Sequence, residues 1–163
     1  MKSLVVYYSY SGNTKKVALA LEELLRTKGE VVVTELKAQD ESASFIKQCR
    51  RAFSKVRAKI EPVNSDLSGY DVVCLGSPVW AFAPAPAVNT FLDNCSGLEG
   101  KEVVLFTTYG SGVGNGRCLV YMKKALLNKG ATKCEHFSIQ QSKVSDAGAV
   151  AAKIKEKLSL PFD

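Results

Sequence analysis

The sequence predicts an α/β protein: five parallel strands in one sheet, with helices covering both faces. Three observations predict it. Short apolar runs rich in valine recur at even spacing. Amphipathic helical patterns fill the gaps between them. No linker or repeat interrupts the 163 residues, so a single domain is expected over 1–163. Strict alternation of strand and helix implies right-handed crossovers, which put helices on both sides of a parallel sheet.

The elements follow in order. KSLVVYY (2–8) reads as the first strand. In NTKKVALALEELLRTK, residues Val17, Ala20, Leu21, Leu24 and Leu25 share one helical face, and Gly29 supplies the stop. EVVVTEL (30–36) is the second strand. A helical segment over 42–58 aligns Phe45, Cys49, Ala52 and Val56. DVVCLGS (71–77) is apolar enough to be buried on both faces. From Pro84 to Cys95, residues Val88, Phe91, Leu92 and Cys95 repeat the helical spacing. KEVVLFTTY (101–109) is the fourth strand. Leu119, Met122 and Leu126 mark the fourth helix, which Gly130 ends. ATKCEHFSI (131–139) is the fifth strand. Ala147, Val150, Ala151, Ile154 and Leu158 mark a last helix before Pro161.

Composition narrows the function. Apolar residues make up 46% and charged residues 23%, an ordinary globular balance. No apolar run approaches the ~20 residues that span a bilayer. The run after Lys2 is too short for a signal peptide, so a soluble cytoplasmic protein is expected. The five cysteines show neither a CxxC pair nor zinc spacing and read as small core residues. His136 is the only histidine and has no marked catalytic partner, so no metal site and no histidine-based triad is expected. The net charge of +6 favours an anionic partner. Lys47, Arg50, Arg51, Lys55, Arg57 and Lys59 fall within thirteen residues. They read as a solvated helix face or as a docking patch for an acidic partner. Nucleic acid is not expected, because the patch has little aromatic interleaving and no binding motif.

In such sheets ligands bind beyond the carboxyl ends of the strands. Three loops there carry chemistry. After the first strand come Ser9, Tyr10, Ser11, Gly12, Asn13 and Thr14, then a helix. Hydroxyl donors, a glycine and a helix start suit a phosphate held by neutral groups, although a single cap residue would serve a helix start alone. After the third strand, Gly76 leads into Ser77, Pro78, Val79, Trp80, Ala81 and Phe82, and the loop runs on to Pro86. This apolar loop, with three prolines and the only tryptophan, suits a flat ring; Trp80 and Phe82 could equally plug the core. After the fourth strand come Thr108, Tyr109, Gly110, Gly112, Asn115 and Gly116, with four glycines in seven residues. Backbone amides there suit a polar ring edge. G-x-G-x-x-G is not met, because Asn115 stands at the third glycine and the loop follows the wrong strand. Together the three loops describe a phosphorylated aromatic heterocycle such as FMN.

At these residues the chain resembles the flavodoxin family. Ser9–Thr14 resembles its phosphate loop, [ST]-x-[ST]-G-x-T, and the stretches Gly76–Phe82 and Thr108–Gly116 resemble its two flavin-flanking loops. The resemblance covers almost the whole chain. No insertion splits the fifth strand, which is similar to the short-chain type. The resemblance implies an open, doubly wound sheet of order 2-1-3-4-5 and non-covalent FMN. It also implies that Ser9, Ser11, Gly12, Asn13 and Thr14 hold the phosphate, that Pro78, Val79, Trp80 and Phe82 flank the ring, and that Tyr109, Gly110 and Gly112 face its other side or its pyrimidine edge. The implied role is a low-potential electron carrier working with redox partner proteins, monomeric or weakly dimeric. Two departures stand out: the chain is basic where the family is usually acidic, and the loop from Gly76 to Pro86 holds no acid.

A carrier could tune the flavin by turning a backbone carbonyl in Gly76–Val79 toward N5, with Gly76 or Ser77 tolerating the turn. An FMN-dependent NAD(P)H or quinone reductase on the same fold is the alternative, and the apolar third-strand loop is more like that of such reductases. A flavin-free binding module is the third reading. Receiver and tyrosine phosphatase chemistry are excluded: the first loop has neither the acids nor the Cys and Arg they require. An acidic partner would dock near Arg50, Arg51 and Lys55.

Overall fold

A computed structural model describes residues 1–157. In chain order the strands are β1 (Lys2–Tyr7), β2 (Glu30–Glu35), β3 (Val72–Trp80), β4 (Ala83–Pro84), β5 (Glu102–Tyr109) and β6 (Lys133–Gln140). The helices are α1 (Asn13–Arg26), α2 (Phe45–Phe53), α3 (Pro86–Asn94), α4 (Asn115–Leu127) and α5 (Ala147–Lys157). The sheet order is β2-β1-β3-β5-β6, with every neighbouring pair parallel. That is the expected 2-1-3-4-5 order once the two-residue β4, which pairs antiparallel with β3, is set aside.

The apolar runs are continuous because the strands are covered on both faces. Leu4 and Val6, Val73 and Leu75, Val103 and Leu105 enter one core with α2, α3 and α4. Val5 and Tyr7, Val72 and Cys74, Val104 and Phe106 enter the other with α1 and α5. The register keeps like-facing residues side by side, Val5 against Cys74 and Cys74 against Val104. Each fully buried aliphatic side chain contributes roughly 1.5–3 kcal/mol. The α1 stripe packs as its spacing predicts, with Val17, Leu21 and Leu25 buried and Ala20 and Leu24 beside them.

The α2 stripe differs. The buried positions are Gln48 and Ala52, while Phe45 is half exposed. The helix is nine residues long and ends at Phe53, so Val56 lies beyond it. Lys55 sets this end by taking a left-handed φ of 53°. Its N–H donates to the Ala52 carbonyl and that of Val56 to the Arg51 carbonyl, a stop that usually uses glycine. The last helix is described to Lys157; its predicted Leu158 and the stop at Pro161 lie outside the described residues.

The apolar stretch after the third strand is also not the loop the sequence suggests. β3 continues through Pro78, Val79 and Trp80, turns at Ala81 and Phe82, and returns as β4. Pro78 is accommodated at the strand's last residues, opposite Thr108. Both turn residues have positive φ, 45° and 70°. Such a two-residue turn matches the strand twist but normally carries Asn-Gly. Ala81→Gly is therefore expected to raise stability by up to about 1 kcal/mol. A urea midpoint that does not rise would show that the turn stores no strain.

All five thiols are free; Cys49 is half-buried and the others are buried. Burial raises each of them, Cys118 to about 12 and Cys134 to about 11. Among the described residues no helix is long and apolar enough to cross a membrane. None of their His, Cys, Asp and Glu side chains group to hold a metal ion.

Candidate functional site

Strand order reverses between β1 and β3, and there the loops leaving β1, β3 and β5 meet. They enclose a cleft of about 240 Å³ lined by Tyr10, Ser11, Thr14, Phe45, Pro78, Trp80, Thr108 and Gln141. Among the described residues no charged side chain lines it.

One end is made of hydroxyls. Gly12, with φ 84°, is the N-cap of α1 and has no side chain of its own to cap it. Among the described residues the N–H groups of Asn13 and Thr14 find no acceptor, while that of Lys15 donates to Ser9 Oγ. Asn13 Nδ2 donates to Ser11 Oγ. Thr14 and Thr108 are buried and their hydroxyl oxygens lie 2.8 Å apart. Such a pair uses one of its two O–H protons internally, so the other stays available to an acceptor in the cleft.

The other end is aromatic. Trp80 is nearly buried, and the rings of Tyr8, Tyr10 and Phe45 meet it edge-on at 5.6, 5.5 and 5.7 Å. Behind this wall the Tyr8 hydroxyl donates to Glu41 and the Tyr7 hydroxyl to Glu35. Burial, reinforced by the carboxylates, raises Tyr7 to about 12 and Tyr8 well above its ordinary range. Both phenols keep their protons better folded than unfolded. Their contribution is present below the ordinary value of about 10 and is lost as pH rises through the folded values. Stability is expected to fall above about pH 10, and ultraviolet titration of the folded protein should show two phenols that ionise well above pH 10. Ionisation of both near pH 10 in the folded protein would disprove this.

Of the residues singled out in the sequence, the fold brings Tyr10, Ser11, Thr14, Pro78, Trp80 and Thr108 into the cleft, with Ser9, Gly12 and Asn13 in the loop around its polar end. The rest sit elsewhere. Ser77 Oγ donates to the Pro78 carbonyl and accepts from the Ala85 N–H, bracing the hairpin. Val79 pairs with Pro84, and Ala81 forms the turn. Phe82 packs against Gly114, where a side chain would meet its ring at 2.3 Å. Tyr109 lies over Gly112 in its own loop, and the Gly110 carbonyl accepts from Gln140. Asn115 bridges Thr107 and Ser138, and Gly116 lines a separate groove on α4. The Gly76 carbonyl already accepts the Tyr8 N–H at 3.2 Å inside the sheet, so it is not free to turn. Phe45 and Gln141 line the cleft without having been singled out for it; both lie far along the chain from the three loops.

The strand order and a cleft at its reversal define a flavodoxin-like α/β protein. The chain belongs to the flavodoxin family, whose model matches residues 2–145. Solved structures agree. A Lactobacillus acidophilus flavoprotein in complex with FMN is 26% identical, with a TM-score of 0.65 over 90% of this chain and 98% of that one. Flavodoxin 2 of Bacillus cereus is 22% identical, with a TM-score of 0.60 over 97% and 100%. An NADH:FMN oxidoreductase is 17% identical, with a TM-score of 0.59 over 99% and 92%. The last two speak for the fold.

Proposed function

We propose that the chain binds FMN non-covalently in this cleft and passes electrons between protein partners. The observation that carries the reading is the cleft's two-ended chemistry. Neutral donors gather at one end, with backbone N–H groups and one O–H lacking acceptors. Trp80 and Tyr10 form an aromatic wall at the other. A phosphate tail and a flat apolar ring need those two surroundings.

Ser9, Ser11, Asn13 and Thr14 would hold the phosphate, with the amides at the start of α1 adding the favourable end of the helix dipole. Trp80, Tyr10 and Pro78 would exclude water from one side of the ring. Thr108 would orient a polar group of the ligand through the hydroxyl it shares with Thr14. FMN, when bound, supplies one- and two-electron redox chemistry.

Titrating FMN with the apo-protein while following flavin fluorescence tests this. Strong quenching by FMN and weak quenching by riboflavin is the expected result. No quenching at micromolar protein would end the flavin reading. Steady-state oxidation of NAD(P)H with a quinone would turn the assignment from carrier to reductase.

A further inference from the structure

We propose that the face built from α2, the Ala81–Phe82 turn and α4 docks an acidic protein. The partner's redox role rests on the flavin reading above; the surface rests on its own geometry.

Apolar side chains stand out from this face. Ile46, Phe53 and Val120 are 74%, 65% and 67% exposed, and Phe82 joins them. Ile46, Arg50 and Phe53 recur at four and three residues, so they share the outer side of α2. A groove of about 720 Å³ runs along α4 past Lys55, Arg117, Tyr121 and Lys124. A smaller hollow lined by Phe53 and Phe82 joins it through Lys55, Arg117 and Tyr121.

The charges decide the partner. Lys55 Nζ lies 4.8 Å from the centre of the Tyr121 ring, and the Arg117 guanidinium 5.7 Å from that of Phe82. The acids of this face are already engaged, Asp40 by Arg51 and Asp93 by Arg57, each at 2.6 Å. Among the described residues, Arg50, Lys55, Arg117 and Lys124 meet no carboxylate. Arg51, which the sequence offered for docking, is thus spent within the fold. Lys55 also stands at the left-handed position where glycine would be unstrained. Exposed aromatics ringed by unpaired cations match an interface whose other side is apolar at its centre and acidic at its rim. A second copy would bring like charges together.

The face adjoins the cleft. Phe45, the first residue of α2, lines the cleft, and Phe53, the last, lines the docking hollow. Trp80 and Phe82 stand on either side of Ala81 in the same way.

The test uses the full chain, isotopically labelled, and a synthetic peptide of glutamates interspersed with leucine and phenylalanine. Amide shifts are expected in α2, the Ala81–Phe82 turn and α4, and should fade between about 0.05 and about 0.5 M salt. Lys55→Glu with Arg117→Glu and Lys124→Glu should weaken binding about tenfold or more. Lys143→Glu with Lys155→Glu should leave it unchanged. If the triple reversal fails to fold, Arg117→Gln with Lys124→Gln should still weaken binding. Any of four results overturns the proposal: no shifts at millimolar peptide, shifts on another face, equal loss in the Lys143/Lys155 control, or tighter binding of single-stranded DNA or NADPH to the same residues. Line broadening that grows with protein concentration alone would assign the face to a second copy and overturn it as well. The triple variant should bind FMN as the wild type does. Loss of FMN binding in the wild type would sink the flavin reading and leave the peptide result to stand or fall separately.

Discussion

Gly76→Ala is expected to cost about 3 kcal/mol of stability, the upper end of what overpacking a core does. A methyl on Gly76 would lie 2.1 Å from the Phe106 ring. That ring has no room to retreat: it stacks on Phe137 at 5.8 Å, and both are buried. The backbone is held too, with Gly76 paired to Tyr7 on one side and Phe106 on the other. Urea unfolding should show a lower midpoint with little change in slope. Phe106→Leu added to Gly76→Ala should recover part of the loss by removing the colliding ring atoms. A Gly76→Ala midpoint equal to wild type would show that the two strands shift freely, against the rigid centre described above.

Ser11→Ala combined with Thr14→Val is expected to weaken FMN binding about a hundredfold or more. Hydrogen bonds to a charged group are each worth about 1.5–3 kcal/mol, and about 1.4 kcal/mol is a factor of ten. Riboflavin binding should change little, because the deleted hydroxyls are assigned to the phosphate. Thr14→Val also leaves Thr108 without its partner, so unfolding must be followed in parallel. Calorimetric titration of both ligands separates the outcomes. Equal losses for FMN and riboflavin would mean that the hydroxyl pair only shapes the cleft, and no loss would remove the phosphate from this loop.

The sheet was legible because strands buried on both faces leave unbroken apolar runs, and because α1 keeps its spacing over fourteen residues. The polar end of the cleft was legible because its residues are contiguous, from Ser9 to Thr14. The hairpin after β3 was not. Pro78 argues against a strand, and Ala81 and Phe82 lack the chemistry of a left-handed turn. That turn also separates Trp80 from Phe82: the first faces the cleft and the second faces α4. The phase of α2 was hidden because a glutamine, Gln48, takes a core position and accepts a hydrogen bond from Arg51. Phe45 and Gln141 reach the cleft through tertiary packing, and no local pattern announces that. The charge run from Lys47 to Lys59 was visible as a run. Which cations remain free depends on Asp40 and Asp93, and Asp93 is 36 positions from its arginine.

The distribution of thiols makes the molecule its own gauge of opening. Protonated and mostly buried, the cysteines react with a disulfide reagent only as fast as the surrounding structure lets water in. Cys49 on α2 samples fraying beside the docking face. Cys118 on α4 and Cys134 on β6 sample the departure of one helical layer. Cys74, on the middle strand, becomes reachable only when the opposite layer, α1 and α5, lifts off the sheet. The order in which these sites modify would give a map of local opening free energies, drawn without adding a single foreign group to the sequence.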